Sequence, residues 1–293
     1  MNLQDVVELV LRISIVLNGF AVGLEGRFAD PVYLFRRPGK LLRAFISMDV
    51  LMPVVALLLV FNFNLDPAVK IALVALSVSP VPPLFPKRAL WAEGKENYTV
   101  GLLVATAVLA IVVIPLAMAI FGWISGIPMS MSPVSVARIV FIMVLVPVLL
   151  GIAGRATSHS FAERVRKYLG PFASWLLILS VLPVVFVEAR PIYSLFGNGT
   201  LLSLTAFTVI GLIAGYWLGG PEFANRRVLA FGTAGRHPGL ALAIAHGNFP
   251  QQKMTLPAVC LYVVVCLLLS VLFELLLRKA RGAAPEAKER AAA

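Results

Sequence analysis

The sequence predicts an all-α polytopic membrane protein with nine transmembrane helices, arranged as an inverted repeat in which two broken helices cross at the bilayer midplane. Three observations lead there. The chain is 60% hydrophobic and only 13% charged, with a mean hydropathy of +0.93, far more apolar surface than a soluble fold of 293 residues needs to bury. Its apolar residues fall into runs long enough to cross about 30 Å of hydrocarbon. Two of those runs, one in each half, are interrupted by proline beside adjacent basic residues.

The runs fall near residues 4–25, 40–62, 67–92, 98–121, 134–154, 169–189, 200–219, 226–248 and 254–277. Connections after the first, third, fifth and seventh hold most of the basic residues: Arg27, Arg36, Arg37, Lys40 and Arg43; then Lys95; then Arg155, Arg164, Arg166 and Lys167; then Arg226 and Arg227. The alternate connections are nearly free of them, apart from Lys70 and Lys253 at span edges. The positive-inside rule then puts the N-terminus outside and Arg278–Arg281 in the cytoplasm, with a bacterial inner (plasma) membrane as the expected location.

The net charge of +11 therefore reads as topology. Basic residues form no aromatic-interleaved face, and nucleic acid is not an expected partner. Cys260 and Cys266 share the last run without metal-ligand spacing, so they read as packed thiols, and no metal or cofactor is expected. The N-terminal stretch carries acidic residues where a signal peptide needs positive charge, so no cleaved leader is expected. Short connections leave a single membrane domain over residues 1–281, and residues 282–293 read as a disordered polar tail.

The first break reads Ser77-Val-Ser-Pro-Val-Pro-Pro-Leu-Phe-Pro-Lys-Arg-Ala-Leu90 and the second Phe231-Gly-Thr-Ala-Gly-Arg-His-Pro-Gly-Leu240. Proline removes a helical N–H and its ring clashes with the preceding turn, so these spans cannot run on as helix. Broken helices in matching positions of two halves point to a transporter's binding site, because freed backbone groups must face protein or a wet cavity. With the third and eighth spans broken, residues 1–121 and 134–278 make two repeats of opposite orientation. The parent is then five plus five helices, and the missing member is the first.

In order along the chain, Leu17-Asn-Gly-Phe-Ala-Val-Gly-Leu24, Phe35-Arg-Arg-Pro38, Met52-Pro53, Leu65-Asp-Pro, Val146-Pro147 with Leu149 to Gly151, Arg227-Val-Leu-Ala and Gly239-Leu-Ala-Leu resemble the bile acid:sodium symporter family. That resemblance covers nearly the whole length and implies ten helices, or nine where the first is lacking, with two broken helices crossing at the midplane. It also implies where sodium ligands would fall: Phe85, Pro86, Thr99, Leu103, Gly232 and Arg236, with Met48 in place of a helping glutamine. Only Thr99 keeps a side-chain oxygen there, so the resemblance implies a divergent member without the usual sodium coupling. Proline at both crossings is similar to the related auxin efflux carriers, which share the architecture without bound sodium.

Candidate site residues follow from the breaks. Arg236 replaces lost positive charge with a fixed cation, and Asp49, mid-way along the second span, is its expected partner. An ionisable group at that depth costs about 2.5–3.5 kcal/mol unless paired or wet. The pair is either a brace between helices or a group that also handles substrate or protons. His237 either caps backbone or titrates near physiological pH, which would allow proton coupling. Arg236 and His237 precede a half-helix whose free N–H groups suit an anion. Lys87 and Arg88 either flank the membrane, since Ala68 to Phe85 already spans roughly 27 Å as helix, or face an inward cavity left by Pro80, Pro82, Pro83 and Pro86. Pro80, Pro83, Thr233, Asn18 and Thr106 are further candidates to line a site. Glu8 and Arg12, one helical turn apart, are expected to pair near the outer surface.

The expected function is secondary transport of a small organic anion by alternating access, as a proton-coupled carrier or a uniporter. The alternative is a membrane sensor or assembly partner that keeps the fold without turnover. No HExxH, GxSxG or paired intramembrane carboxylates support an enzyme.

Overall fold

The computed structural model describes residues 3–82 and 95–292, and every regular element among them is helical. The elements are α1 (Leu3–Gly23), α2 (Pro38–Asn62), α3 (Pro67–Val78), α4 (Glu96–Ser125), α5 (Pro133–Thr157), α6 (His159–Val187), α7 (Ala189–Ser194), α8 (Thr200–Leu218), α9 (Phe223–Ala234), α10 (Pro238–Asn248) and α11 (Thr255–Ala292). Pro38, Pro67, Pro133 and Pro238 each open a helix, where a missing N–H costs nothing.

The apolar runs of the sequence fall on helix except in the third, where residues 79–82 are not helical and 83–92 lie outside the described residues, and in the eighth, interrupted at residues 235–237. Among the described residues, five helices are long and apolar enough to cross a membrane: α2, α4, α5, α8 and residues Thr255–Ala280 of α11. The expected third and eighth spans are absent from that set for a physical reason. Twelve residues of α3, twelve of α9 and eleven of α10 each rise about 18 Å or less, short of the hydrocarbon thickness. The last helix continues to Ala292, through residues assigned from sequence to a disordered tail; Ala, Glu, Lys and Arg there favour helix intrinsically.

Proline also shapes helices that do not break. Pro53 cannot donate to the carbonyl four residues back, on Asp49, and Pro147 cannot donate to Met143. In both places the backbone widens into a π turn, Ile46–Leu51 in α2 and Phe141–Leu145 in α5.

The helices pack in two groups. α1 lies against α5 and α6, while α2, α3, α8, α9, α10 and α11 enclose the breaks, and α4 packs on α5 from this second group. Glycine sets the closest approaches. A Cβ on Gly23 of α1 would collide with the Val148 carbonyl oxygen of α5, and one on Gly151 would collide with the Phe20 carbonyl oxygen. Likewise, a Cβ on Gly215 of α8 would come within 2.5 Å of the Leu229 carbonyl oxygen in α9.

Candidate functional site at the crossing of two breaks

Helix α3 ends at Val78, and Ser79 turns extended at φ −73°, ψ 141°. Helix α9 ends at Ala234; Gly235 and His237 are extended before Pro238 starts α10. The two breaks meet. The His237 N–H donates to the Pro80 carbonyl oxygen at 2.9 Å, and the Arg236 guanidinium donates through Nη1 to the Ser79 carbonyl oxygen at 2.9 Å. Its Nη2 donates to the Met48 carbonyl oxygen on the π turn of α2.

Backbone groups released by the second break find other partners. Tyr262 of α11 accepts the Arg236 N–H at 2.9 Å and donates its own hydroxyl to the Ala234 carbonyl oxygen. His237 Nδ1 accepts the Leu240 N–H at 3.2 Å, capping α10. Thr233 and Ser47 share a hydrogen bond of 2.7 Å between α9 and the π turn. At the first break, the Val81 N–H reaches Thr106 Oγ1 at 3.5 Å. A broken span in hydrocarbon needs this kind of internal satisfaction.

These contacts locate the residues singled out from sequence. Arg236, His237, Thr233 and Pro80 come together at the crossing, and all are buried. Arg236 does not form the expected direct pair with Asp49. Its guanidinium lies on the carbonyls of Ser79 at the first break and Met48 on the π turn, while Asp49 acts on it only through space. His237 is a cap and its Nδ1 is already engaged, so the N–H groups offered to an anion from sequence are in part taken within the chain.

Asn18 lies elsewhere, donating to the Ser14 and Ala173 carbonyl oxygens and so joining α1 to α6. The Thr99 hydroxyl is turned onto its own helix at Lys95. Pro83, Lys87 and Arg88, with Phe85 and Pro86, lie outside the described residues, and so do the side chains of Glu8 and Arg12.

A cavity of about 620 Å³ opens at the end of the bundle that carries the connections 63–66, 126–132 and 249–254, along α3 and α10, the half-helices that lead to the breaks. Its walls come from α2, α3, α4 and α10, with Ala75 and Ile244 deepest toward the breaks. The lining is almost wholly apolar; among the described residues Lys70 is the one charged member, joined by Ser125, Asn248, Gln251 and Gln252. At the opposite end Glu222, which leads into α9, accepts from Lys40 of α2 at 2.8 Å and from Lys95 ahead of α4. Those hydrogen bonds, with Lys40 first, lower the Glu222 carboxyl from 4.5 to about 2.

Sequence reasoning treated Lys70 as a span edge and did not single out Tyr262, Ser47 or Glu222. Lys70 carried a usable signal: it is a lone cation one turn inside a half-helix opened by Asp66 and Pro67. Arg227 was assigned to a basic flank, but it is buried in an ion pair with Glu274 that ties α9 to α11.

A helical bundle in which two interrupted helices touch through their exposed backbone is the arrangement that the resemblance implies. The description of the Sodium Bile acid symporter family matches residues 12–194. The chain belongs to this family. It is 25% identical over 231 residues to human (Homo sapiens) sodium/bile acid cotransporter 4, covering 74% of this chain and 51% of that protein. The mouse (Mus musculus) counterpart is 25% identical over 154 residues, 52% of this chain and 34% of its own length. A probable chloroplastic sodium/metabolite cotransporter of indica rice (Oryza sativa) is 28% identical over 122 residues, 39% of this chain and 30% of that protein. The chain thus spans about half or less of the relatives it matches, and the Arg236 break lies beyond the family's matched segment.

The family name raises sodium. The positions assigned to its ligands by resemblance do not fit a hard cation, which needs several free oxygens. Among the described positions, Leu103 and Gly232 bring no side-chain oxygen, Thr99 brings a single hydroxyl, and Arg236 brings a guanidinium that sits on the Ser79 and Met48 carbonyls.

Proposed function

We propose that the chain is a secondary transporter of an organic anion with an apolar body, working by alternating access without the sodium coupling of its relatives. The observation that carries this reading is the contact between the two breaks. Half-helices that meet through a few backbone hydrogen bonds can separate or slide without unfolding a whole span, and the transport of a solute needs such a joint. A cavity of about 620 Å³ along α3 and α10, the half-helices that lead to the breaks, has the size of a small-molecule site and the matching chemistry: apolar walls and, among the described residues, one cation, Lys70.

Membership of the family and the relatives' names as cotransporters support the transporter class. Arg236 in this reading supplies the positive charge that a bound cation would otherwise bring to the crossing. The orientation drawn from basic connections makes the Lys70 cavity outward-facing and the Glu222 cluster its closed inner end.

Uptake into proteoliposomes tests the reading. Saturable entry of an amphipathic monocarboxylate or sulfonate, unchanged when potassium replaces sodium and weakened severalfold or more by Lys70→Met, is the expected result. No saturable entry of either class, or an absolute sodium requirement, overturns it.

A further inference from the structure

Two buried polar atoms near the crossing have no hydrogen-bond partner: Asp49 Oδ2 on the π turn of α2, and Arg236 Nε. The two side chains act on each other electrostatically, yet they form no ion pair within 4 Å. A carboxylate held this way in hydrocarbon, ionised and with an oxygen bonded to nothing, is costly by several kcal/mol. It has two ways out: it binds a proton, or it draws the guanidinium onto itself.

The second route competes with the crossing. Arg236 has one guanidinium, and both of its terminal nitrogens are engaged by the carbonyls of Ser79 and Met48. Met48 is the residue next to Asp49, so a small swing of the guanidinium exchanges a carbonyl for a carboxylate. Arg236 Nε has no partner, but the guanidinium is a rigid plane, so turning it onto the carboxylate carries Nη1 off Ser79 and removes the bond from Arg236 to the first break. The π turn favours the exchange, because it already departs from regular helix at Asp49, whose carbonyl has lost the N–H of Pro53.

We propose that Asp49 is a proton-binding site that locks and releases the crossing. With Asp49 protonated, Arg236 stays on the Ser79 and Met48 carbonyls and the two breaks are tied, as in the structure. When the proton leaves Oδ2 for water, the carboxylate takes the guanidinium and the tie to Ser79 opens. No other group is consumed or oxidised.

Among the described residues, Arg236 is the one charged side chain that acts on Asp49. Of the elements packed on the turn, α8 carries no Asp, Glu, Lys, Arg or His; α3 carries only Lys70, at its far end; α9 carries Arg226 and Arg227, the latter paired with Glu274. On α2 itself Arg43 and Lys40 lie about 9 and 14 Å down the helix axis. His237 is adjacent to Arg236, with Nδ1 committed to Leu240.

This inference takes the crossing as the moving part and so rests on the transporter reading, but its test does not need a solute. Infrared difference spectra of the purified protein in lipid nanodiscs, titrated from pH 5 to 9, report protonated carboxyl groups directly. A carboxylic C=O band that disappears as pH rises, and that is absent throughout from Asp49→Asn, is the expected result. A band assigned to Asp49 that persists unchanged over the whole range, or no Asp49 band at any pH, overturns the proposal. Asp49→Asn mimics the protonated state and preserves shape, so it should fold. In proteoliposomes it should hold the breaks tied and slow uptake severalfold or more at every pH, whereas the parent speeds up as pH rises; uptake by Asp49→Asn equal to the parent's at high pH overturns the proposal. Absence of all uptake in the parent protein would sink the transporter reading and leave the infrared result standing.

Discussion

The His237 N–H and the Pro80 carbonyl oxygen are 2.9 Å apart, so each proline break satisfies a backbone group exposed by the other. This reciprocity explains why the breaks occur as a pair. A single interrupted span would leave donors or acceptors open in hydrocarbon, each costing several kcal/mol. Two interrupted spans in contact exchange them, and Arg236, Tyr262 and the His237 ring take most of the remainder.

Tyr262→Phe tests that accounting. Its hydroxyl both accepts the Arg236 N–H and donates to the Ala234 carbonyl oxygen, and phenylalanine keeps the ring packed against Phe207 while removing both bonds. The buried Arg236 N–H loses its acceptor, at about 1–3 kcal/mol, and the Ala234 carbonyl keeps only the weak Cys266 thiol at 3.5 Å. Thermal unfolding in detergent should fall clearly below that of the parent. Equal stability would mean that the break does not depend on α11.

The α1–α5 contact is the next test. Gly23→Ala places a methyl group against the Val148 carbonyl oxygen, and nothing flexible can move aside. Gly170→Ala meets open space within 4 Å in α6 and serves as the control. The first should cost at least about 1–3 kcal/mol as an overpacked contact. The second should be neutral or stabilising by up to about 1 kcal/mol, because alanine is the better helix former. Chemical unfolding of the two variants side by side distinguishes them.

Much of this architecture was legible because hydrocarbon imposes simple rules. Runs of apolar residues marked the helices, and Pro80, Pro82 and Pro238 marked the breaks, since proline lacks the N–H that a continuing helix requires. Gly23 and Gly151 entered the reading only as features of a family resemblance, and the structure gives them a physical role in a close helix approach. The partner of Arg236 was not legible. Charge complementarity pointed to Asp49, whereas the guanidinium settled on carbonyls, and which carbonyls lose their donors depends on where two distant breaks meet. Lys70 was missed for a similar reason: a lone lysine at a span edge and a lone lysine in a cavity read alike until the walls are assembled.

At the opposite end, Glu222 should behave as a latch indifferent to physiological pH. Hydrogen bonds from Lys40 and then Lys95 hold its carboxyl at about 2, below the ordinary 4.5. For an acid with a depressed value, the favourable contribution is complete above the ordinary range and is lost only as pH falls through about 2. Between pH 6 and 8, the effect of Glu222→Gln should therefore be constant. Amine-reactive labelling of Lys95 should be faster in the variant by the same ratio at both ends of that window, and salt should narrow the gap because the pair is partly exposed. A ratio that changes with pH would show that Glu222 titrates there.

Arg236→Met leaves the Ser79 and Met48 carbonyls buried without a donor and removes the charge that acts on Asp49. These losses can be separated by a double-mutant cycle with Asp49→Asn. If the carbonyl contacts were the whole contribution of Arg236, the two substitutions would add within about 0.5 kcal/mol. The unpartnered Asp49 Oδ2 argues otherwise, because without Arg236 the buried carboxyl loses an opposite charge that acts on it. Arg236→Met should therefore be more destabilising with Asp49 present than with Asn at that position. The difference should be about 0.5–3 kcal/mol, measured by unfolding near neutral pH, and it should shrink as acid protonates Asp49. Additivity at every pH would show that the two side chains share a neighbourhood without sharing energy.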